Sequence, residues 1–250
     1  MTGVLRTEGL SKHWGAFQAN SEISLAFEAG TRHALIGPNG AGKTTFINLL
    51  TGVLVPSSGR IYLGNQNITS MNQHQRVKQG ISRTFQINTL FAGLSVLESV
   101  MLAIFERIDR GMVWHRTVAD ETAVIDEAMI LLTSLKLVDD VSCITRNLPY
   151  GKQRLMEIAL ALATKPKILL LDEPAAGIPS DQSADLFDVI AGLPRDVTIL
   201  FVEHDMNLVF RFAERITVLV GGRVLVQGSP QEIAADKRVR EVYLGEAVDE

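Results

Sequence analysis

The sequence predicts an α/β fold with a mostly parallel sheet, and three observations carry this prediction. A glycine-rich segment at residues 37–44 stands between an apolar strand pattern and a helical pattern. From Gly151 onward, helical and strand patterns alternate along the chain. Residues 168–171 read Ile-Leu-Leu-Leu without a polar interruption, as a parallel strand that is buried on both faces requires.

The N-terminal part predicts a small antiparallel β subdomain. Apolar and polar residues alternate in three segments, 4–10, 17–27 and 32–36, with glycine-containing breaks between them. We expect these segments to form a small sheet that leads into the glycine-rich loop. Further predicted elements are a helix at 45–50, a turn at 56–59, a strand at 60–63 and a strand that ends near Phe85.

The middle of the chain predicts an inserted helical subdomain. Between residues 94 and 137, apolar residues such as Ala128 and Leu131 recur at three- and four-residue spacing. We therefore predict one domain over residues 1–250, with a helical subdomain at about 87–165 inside it. The elements predicted after it are a helix at 151–163, a strand at 168–171, a helix at 180–191 and a strand at 198–202.

Composition and charge exclude several classes of function. The 250-residue chain carries 24 basic and 28 acidic side chains, a formal net charge of −4, without the basic stripe that binds nucleic acid. Its single cysteine cannot form an intramolecular disulfide, and its five histidines lack metal-ligand spacing, which suits a reducing cytoplasm. Because no apolar run reaches the roughly 18 residues that span a bilayer, we expect any membrane contact to come through another chain.

Residues 37–44 carry the pattern of a phosphate-binding loop, Gly-Pro-Asn-Gly-Ala-Gly-Lys-Thr. Backbone N–H groups of such a loop surround an anionic phosphate, and the N-terminus of the following helix adds partial positive charge. Lys43 is predicted to reach the β- and γ-phosphates, and the Thr44 hydroxyl to bind Mg²⁺. The pattern predicts a P-loop NTPase core that binds its nucleoside triphosphate through Gly37, Pro38, Asn39, Gly40, Ala41, Gly42, Lys43, Thr44 and Thr45.

Two carboxylates follow the apolar strand at 168–171. Open α/β sheets bind their ligands at the carboxyl ends of the strands, where Asp172 and Glu173 stand. Asp172 is predicted to hold Mg²⁺ through water, and Glu173 to polarise the water that attacks the γ-phosphate. An Asp-Glu pair at the end of a strand is common, and the phosphate loop is what makes this interpretation the expected one.

The segment before the helix at 151–163 points to a family. Residues 148–154 read Leu-Pro-Tyr-Gly-Lys-Gln-Arg and resemble the signature of ABC transporter ATPases, Leu-Ser-Gly-Gly-Gln-Gln-Arg, which lies shortly before the Asp-Glu strand. The resemblance covers nearly the whole chain. Three further residues match the family, in the same order along the chain: Trp14, Gln86 and His204. Taken singly, they are better explained as a hairpin core residue, a surface amide and a helix cap, respectively.

The resemblance implies a mechanism that needs two ATPase domains arranged head to tail. Each ATP would lie between the phosphate loop of one chain and the signature helix of the other. Trp14 would stack on adenine, Glu173 would orient water and His204 would contact the γ-phosphate. Gln86 would touch Mg²⁺ or the attacking water and couple ATP to helices that dock on a membrane partner. The signature residues that would face the nucleotide of the second subunit are Pro149, Tyr150, Gly151 and Lys152.

Two positions depart from the family pattern. Pro149 replaces the signature serine and removes a hydroxyl and a backbone N–H, and Tyr150 replaces the first glycine. We expect Pro149 at the first position of the helix, where proline is tolerated. Since a signature serves the site of the other subunit, we expect the partner's site to turn over slowly. Pro179 stands where much of the family has an aspartate in a loop that crosses the dimer interface.

Several local sequences resemble the ATPases of branched-chain amino-acid importers. Such systems pair two non-identical ATPases with two permease subunits and a periplasmic solute-binding protein, so the resemblance implies a peripheral position at the cytoplasmic face of the inner membrane. The resemblance implies an ATPase that powers import of a branched-chain amino acid or a related small polar solute. The solute is chosen by those other chains, and related systems carry urea, short amides or aromatic acids. The matching sequences are Leu-x-Tyr-Gly in the signature, Glu-Pro-Ala-Ala-Gly at 173–177, Glu-His-Asp-Met at 203–206 and Val-Tyr-Leu-Gly-Glu at 242–246.

Three alternatives remain at the level of sequence. The ATPase of lipopolysaccharide export has a similar C-terminus. A soluble ABC-type ATPase of DNA repair or translation would use the same nucleotide chemistry, but those proteins carry long heptad insertions or two ATPase domains in one chain. An ordinary phosphate-loop kinase would lack the signature helix.

Overall fold

The computed structural model of the chain describes residues 4–84, 93–108 and 118–244. The strands are β1 Leu5–Trp14, β2 Phe17–Ile23, β3 Ala26–Phe27, β4 Arg32–Ile36, β5 Ser58–Leu63, β6 Gln66–Asn67, β7 Ile81–Arg83, β8 Ile168–Asp172, β9 Thr198–Val202, β10 Arg215–Val220 and β11 Arg223–Gly228. The helices are α1 Lys43–Thr51, α2 Gln73–Gln79, α3 Val96–Arg107, α4 Val118–Ser134, α5 Tyr150–Ala163, α6 Ser180–Ala191, α7 Met206–Phe212, α8 Pro230–Ala235 and α9 Lys237–Leu244.

A mostly parallel sheet forms the centre of the molecule. Its strand order is β11-β10-β4-β9-β8-β7. The pairs from β10 to β7 are parallel, and β11 closes one edge antiparallel to β10. The predicted fold class is therefore confirmed. The segment at 32–36 was wrongly grouped with the N-terminal sheet: it is β4, whose five residues are all buried, and a strand buried on both faces belongs in the middle of a covered sheet.

A second, antiparallel sheet surrounds β1, which pairs with β2, β3 and β5. The single strand predicted at 17–27 is divided into β2 and β3. Glu22 adopts a left-handed φ of 53° and donates its N–H to Ser11 Oγ at 2.9 Å, and Ser24 Oγ accepts the N–H of Gly9 at 2.8 Å. These side-chain bonds replace ladder bonds, so the pairing of β1 shifts at this point.

Helices cover both faces of the central sheet. Leu169 of β8 belongs to a hydrophobic cluster with Leu132 of α4 and Ala159 of α5. Its neighbour Leu170 belongs to a second cluster with Phe46 of α1. Because successive side chains of a strand point to opposite faces, the sheet has α1 on one side and the helical segment α3–α5 on the other. These three helices lie within the stretch for which the sequence predicts a helical subdomain.

Arg76 anchors the C-terminal end of α1. Its buried guanidinium donates to the carbonyl oxygens of Leu49, Leu50, Thr69 and Met71, the last three at 2.8, 2.9 and 3.0 Å. Burial lowers the pKa of Arg76 to about 10. The helix that follows the phosphate loop is thus held at its far end, where carbonyl groups lack intrahelical partners.

The described helices do not meet the requirements of a membrane span. The longest of them, α4, has 17 residues. Within residues 4–84, 93–108 and 118–244, no helix combines the length and the apolar character that crossing a bilayer requires.

His33 of β4 is buried as a neutral imidazole. Its Nε2 lies 2.8 Å from Thr217 Oγ1, and its ring meets the Phe27 ring at a centroid distance of 4.8 Å. Burial, with a smaller contribution from the charge of Arg215, lowers the pKa of His33 from 6.5 to about 3. The folded protein therefore resists a protonation that the unfolded chain accepts.

The lowered pKa of His33 predicts a pH-dependent stability. As pH falls from about 6.5 towards 3, the unfolded state binds a proton that the folded state does not. This site alone then lowers the free energy of unfolding by about 1.4 kcal/mol per pH unit. Urea unfolding between pH 4 and 6 should show a shallower pH dependence in His33→Gln, while the exposed-site control His74→Gln should keep the wild-type slope. Equal slopes in all three proteins would contradict the assignment.

Candidate functional site

The glycines of the phosphate loop are required by its backbone. Gly37, Gly40 and Gly42 have φ values of 154°, 79° and 92°. A Cβ at Gly37 would lie 2.2 Å from Leu219 O, and a Cβ at Gly42 would lie 2.3 Å from Ala19 O. A Cβ built at Gly40 would meet open space among the described residues. The loop is thus packed tightly at both ends and open at its tip, where a phosphate would enter.

The N-terminus of α1 supplies the donors for an anion. Gly42 is its N-cap residue and has no side chain to satisfy the first-turn N–H groups. The buried Lys43 ammonium donates to Gly37 O at 2.6 Å and to Pro38 O at 3.1 Å, and so lies across the loop. Burial lowers the pKa of Lys43, and the charges of Glu173 and Asp172 oppose this. Unpartnered N–H donors beside a desolvated cation fit a phosphate chain.

Asp172 ends β8 in an ion pair that sequence reasoning missed. Its Oδ2 accepts a hydrogen bond of 2.6 Å from Arg83 at the end of β7, and the same guanidinium donates to Asn48 Oδ1 of α1 at 2.7 Å. Arg83 therefore joins α1, β7 and β8 beside the phosphate loop. The signal for this ion pair in the sequence was Arg83 at the end of a strand. That this strand, β7, lies beside β8 is decided by the tertiary fold.

Glu173 and His204 are brought together from the ends of two neighbouring strands. Glu173 adopts a left-handed φ of 51°, a strained backbone for a residue with a side chain. Its N–H donates to Val202 O at 3.0 Å, and its Oε1 lies 2.7 Å from His204 Nε2. The two polar side chains are thus held at the carboxyl edge of the sheet, where the sequence predicts the reaction.

A buried acid, Glu203, binds the loops that carry both of these residues and was also missed. It is 6% exposed. One carboxylate oxygen accepts the Ala175 N–H at 2.9 Å and the other accepts the His204 N–H at 3.2 Å. Burial raises the pKa of Glu203, against the effect of the two N–H donors. Its position in the sequence, directly before His204, marks it as an acid at a strand end, but only the folded loop shows what it binds.

A cavity of about 560 Å³ opens beside these groups. Thr44 and Asp172, two of the three predicted Mg²⁺ ligands, line it together with Glu173. Within the described residues, no cluster of three histidine, cysteine or acidic side chains could hold a metal on its own. A hydroxyl, a carboxylate and phosphate oxygens suit Mg²⁺, which keeps several waters, so the residues present fit this ion. The helix α5 contributes Arg154 and Glu157 to the wall of the same cavity.

The signature residues stand at the start of α5. Pro149 is the N-cap residue and Tyr150 begins the helix, so the expectation that Pro149 occupies the first helical position was wrong by one residue. Proline has no side-chain acceptor to cap the helix. Gly151 follows in the first turn. The ammonium of Lys152 lies 2.6 Å from Asp140 Oδ2, so the structure pairs Lys152 inside the helical segment.

Trp14 ends β1 and is 48% exposed. Its ring stacks near Phe17 at a centroid distance of 6.4 Å. Further along β2, Asn20 Nδ2 donates to Gly42 O at 3.2 Å, which places the aromatic pair about 10 Å along the strand from this contact with the phosphate loop. Gln86, the remaining predicted site residue, lies outside the described residues.

Comparison with known proteins decides the family. A family model described as "ABC transporter" matches residues 20–176. The chain belongs to this family. A second model, described as "Branched-chain amino acid ATP-binding cassette transporter", matches residues 223–249. The resemblance seen in the sequence is confirmed, and this ABC ATPase is an enzyme that hydrolyses ATP.

Curated relatives and solved structures agree with this assignment. The chain is 37% identical to the high-affinity branched-chain amino acid transport ATP-binding protein LivG of Salmonella typhimurium, and the match covers 98% of both chains. It is 35% identical to BraF of Pseudomonas aeruginosa, a protein of the same description, with 98% of both chains covered. The ADP conformation of MJ1267, an ATP-binding cassette of an ABC transporter, has a TM-score of 0.85 at 31% identity and covers 98% of this chain and 100% of its own.

The position of Lys43 predicts the effect of its removal on nucleotide binding. Lys43→Met deletes a desolvated cation that lies across the phosphate loop. A charged hydrogen bond of this kind corresponds to about a 10- to 100-fold change in affinity. Titration of the purified chain with a fluorescent ATP analogue should show this weakening. The exposed-site control Lys237→Met should bind as the wild type does, and wild-type affinity in Lys43→Met would contradict the role.

Proposed function

We propose that this chain is the ATP-hydrolysing subunit that powers uptake of branched-chain amino acids. The observation that carries the proposal is the agreement with relatives named for this transport along 98% of both chains. The family match at residues 223–249 favours the same role over lipopolysaccharide export. The chain would act at the cytoplasmic face of the inner membrane, through its permease partners.

Nucleotide binding begins at the phosphate loop. Lys43 and the first N–H groups of α1 hold the β- and γ-phosphates, and the exposed pair Trp14 and Phe17 offers a surface for adenine. Thr44 and Asp172 hold Mg²⁺, and Gln86 is proposed as a further contact. When bound, the ion would supply charge neutralisation for the phosphate oxygens. Because Arg83 occupies Asp172 Oδ2, we expect Asp172 to act through its other oxygen or through water.

Hydrolysis depends on Glu173. The carboxylate lines the same cavity as Thr44, where a water attacking the γ-phosphate would lie. His204 holds this carboxylate by the contact of 2.7 Å and would turn to the γ-phosphate when ATP is bound. The fixed left-handed backbone limits the orientations that Glu173 can adopt, which is the positioning that phosphoryl transfer requires.

The complete enzyme would be an assembly. We propose that a second, non-identical ATPase subunit faces this one head to tail, so that the α5 N-terminus of each chain closes the nucleotide site of the other. Two permease subunits would dock on the pair, and a periplasmic solute-binding protein would deliver the amino acid.

Reconstituted transport tests the proposed function. A complex captured through a tag on this chain should, in vesicles loaded with ATP, take up labelled leucine when its binding protein is present. The same preparation with Lys43→Met should take up leucine more slowly at a limiting ATP concentration, because ATP is held more weakly. An active complex that moves lipopolysaccharide and leaves leucine outside would refute the proposal.

Replacing Glu173 should separate binding from hydrolysis. Glu173→Gln keeps the shape of the side chain but cannot accept a proton, and general-base catalysis contributes about 100-fold or more. ATPase assays of the complex should show at least this loss in the turnover of the site that contains Glu173, with unchanged affinity for ATP. A kcat within twofold of the wild type would remove Glu173 from its proposed role.

Replacing Pro149 tests the partner's site. Serine at this N-cap position adds an acceptor for the first-turn N–H groups of α5, restores a backbone N–H and offers a hydroxyl to phosphate. Pro149→Ser should therefore raise the ATPase rate of the complex. Pro149→Ala is the matched control, because it restores the N–H without the hydroxyl. An unchanged rate in Pro149→Ser would mean that the absent serine has no effect on turnover.

A further inference from the structure

We propose that Tyr150 is a positioning residue that ties the signature helix to the loop that follows Glu173, and that this tie links the two nucleotide sites of the assembly. The Tyr150 hydroxyl donates to Ala176 O at 3.1 Å. Ala176 stands three residues after Glu173. This inference rests on the proposed function, since it concerns communication within an ATPase pair.

The Tyr150 hydroxyl is held on its other side by Arg154. Nη2 of Arg154 donates to this hydroxyl at 2.8 Å, and the guanidinium carbon lies 5.1 Å from the centre of the Tyr150 ring. Arg154 is in turn paired at 3.1 Å with Glu157, whose side chain is 5% exposed. Arg154 lies one turn after Tyr150 on the same helix and is fixed by this partly buried ion pair. The Tyr150 ring that it holds therefore moves with α5.

The loop is also held from the opposite direction. Glu203 accepts the N–H of Ala175 at 2.9 Å, and the N–H of Ala176 donates to Glu173 O at 3.0 Å. Gly177 has a φ of 78°, and a Cβ there would lie 3.1 Å from the Tyr150 hydroxyl. The absence of a side chain at this position lets the loop lie directly against the tyrosine. The loop therefore lies between Glu203 and Tyr150, with Glu173 at its start.

In this arrangement, Tyr150 makes a contact that the glycine of the family signature could not make. A glycine, the usual residue of the signature, could not reach Ala176. With tyrosine, a displacement of the α5 N-terminus by the partner's nucleotide is transmitted to Ala176 and from there to Glu173. The occupancy of one site would then change the geometry of the hydrolytic carboxylate in the other.

Tyr150→Phe tests the tie, because it removes the hydroxyl and keeps the ring. The loss of one hydrogen bond worth about 1 kcal/mol corresponds to about a 5-fold fall in kcat of the complex, with the KM for ATP unchanged. Arg154 Nη2 also lies 3.4 Å from Ala176 O, so a weaker link persists and the loss is partial. Amide hydrogen exchange should become faster in the peptide 173–179, which contains the hydrogen-bonded N–H groups of Ala176 and Ile178.

Tyr62→Phe is the matched control, because it removes a phenol hydroxyl from β5 in the antiparallel sheet. It should leave both kcat and the exchange of 173–179 at wild-type values. The tie is supported if both quantities change in Tyr150→Phe alone, and it is refuted if either stays at its wild-type value. If the wild-type complex hydrolyses no ATP, the proposed function fails, whereas the exchange measurement still reports on the tie itself.

Discussion

Burial on both faces of the central strands is the constraint on which the site depends. Strands β4, β9 and β8 are neighbours in the sheet and are covered by helices on either side. Polar groups that must reach a ligand therefore stand at or beyond the carboxyl ends of these strands. The phosphate loop, residues 172–173 and residues 203–204 all leave the sheet at its carboxyl edge. A phosphate cradle, three carboxylates and a histidine thus converge at this edge of the sheet.

Polar contacts between these loops then set their geometry. Glu203 binds backbone N–H groups of the loops after β8 and β9, and Arg83 joins Asp172 to α1. The left-handed backbone of Glu173 has an energetic cost of about 1–2 kcal/mol. Its hydrogen bond to Val202 and the contact with His204 help to offset it. Hydrogen bonds within a partly buried site are stronger than in water, which makes such a network rigid.

Much of this could be predicted because the signals are local. The bounds predicted for β4 and β9 agree with those observed, since both segments contain consecutive apolar residues that mark a short strand. The phosphate loop was evident from its glycines and its flanking elements. The roles of Arg83, Glu203 and Tyr150 were not predictable, because each depends on a partner between 26 and 89 residues away or on a backbone group that has no sequence signature. Lys152 was expected to face a nucleotide, yet its charge is paired with Asp140.

The sequence by itself therefore determined the α/β class, the family and the chemical groups available for phosphoryl transfer, because periodicity and short motifs are properties of neighbouring residues. Only the tertiary structure decided that β4 belongs to the parallel sheet, that Glu173 is held against His204 and that the signature helix contacts the loop after Glu173. Those relations join segments that are distant along the chain. Their energies come from burial and from hydrogen bonds that exist only once the sheet and its covering helices have assembled.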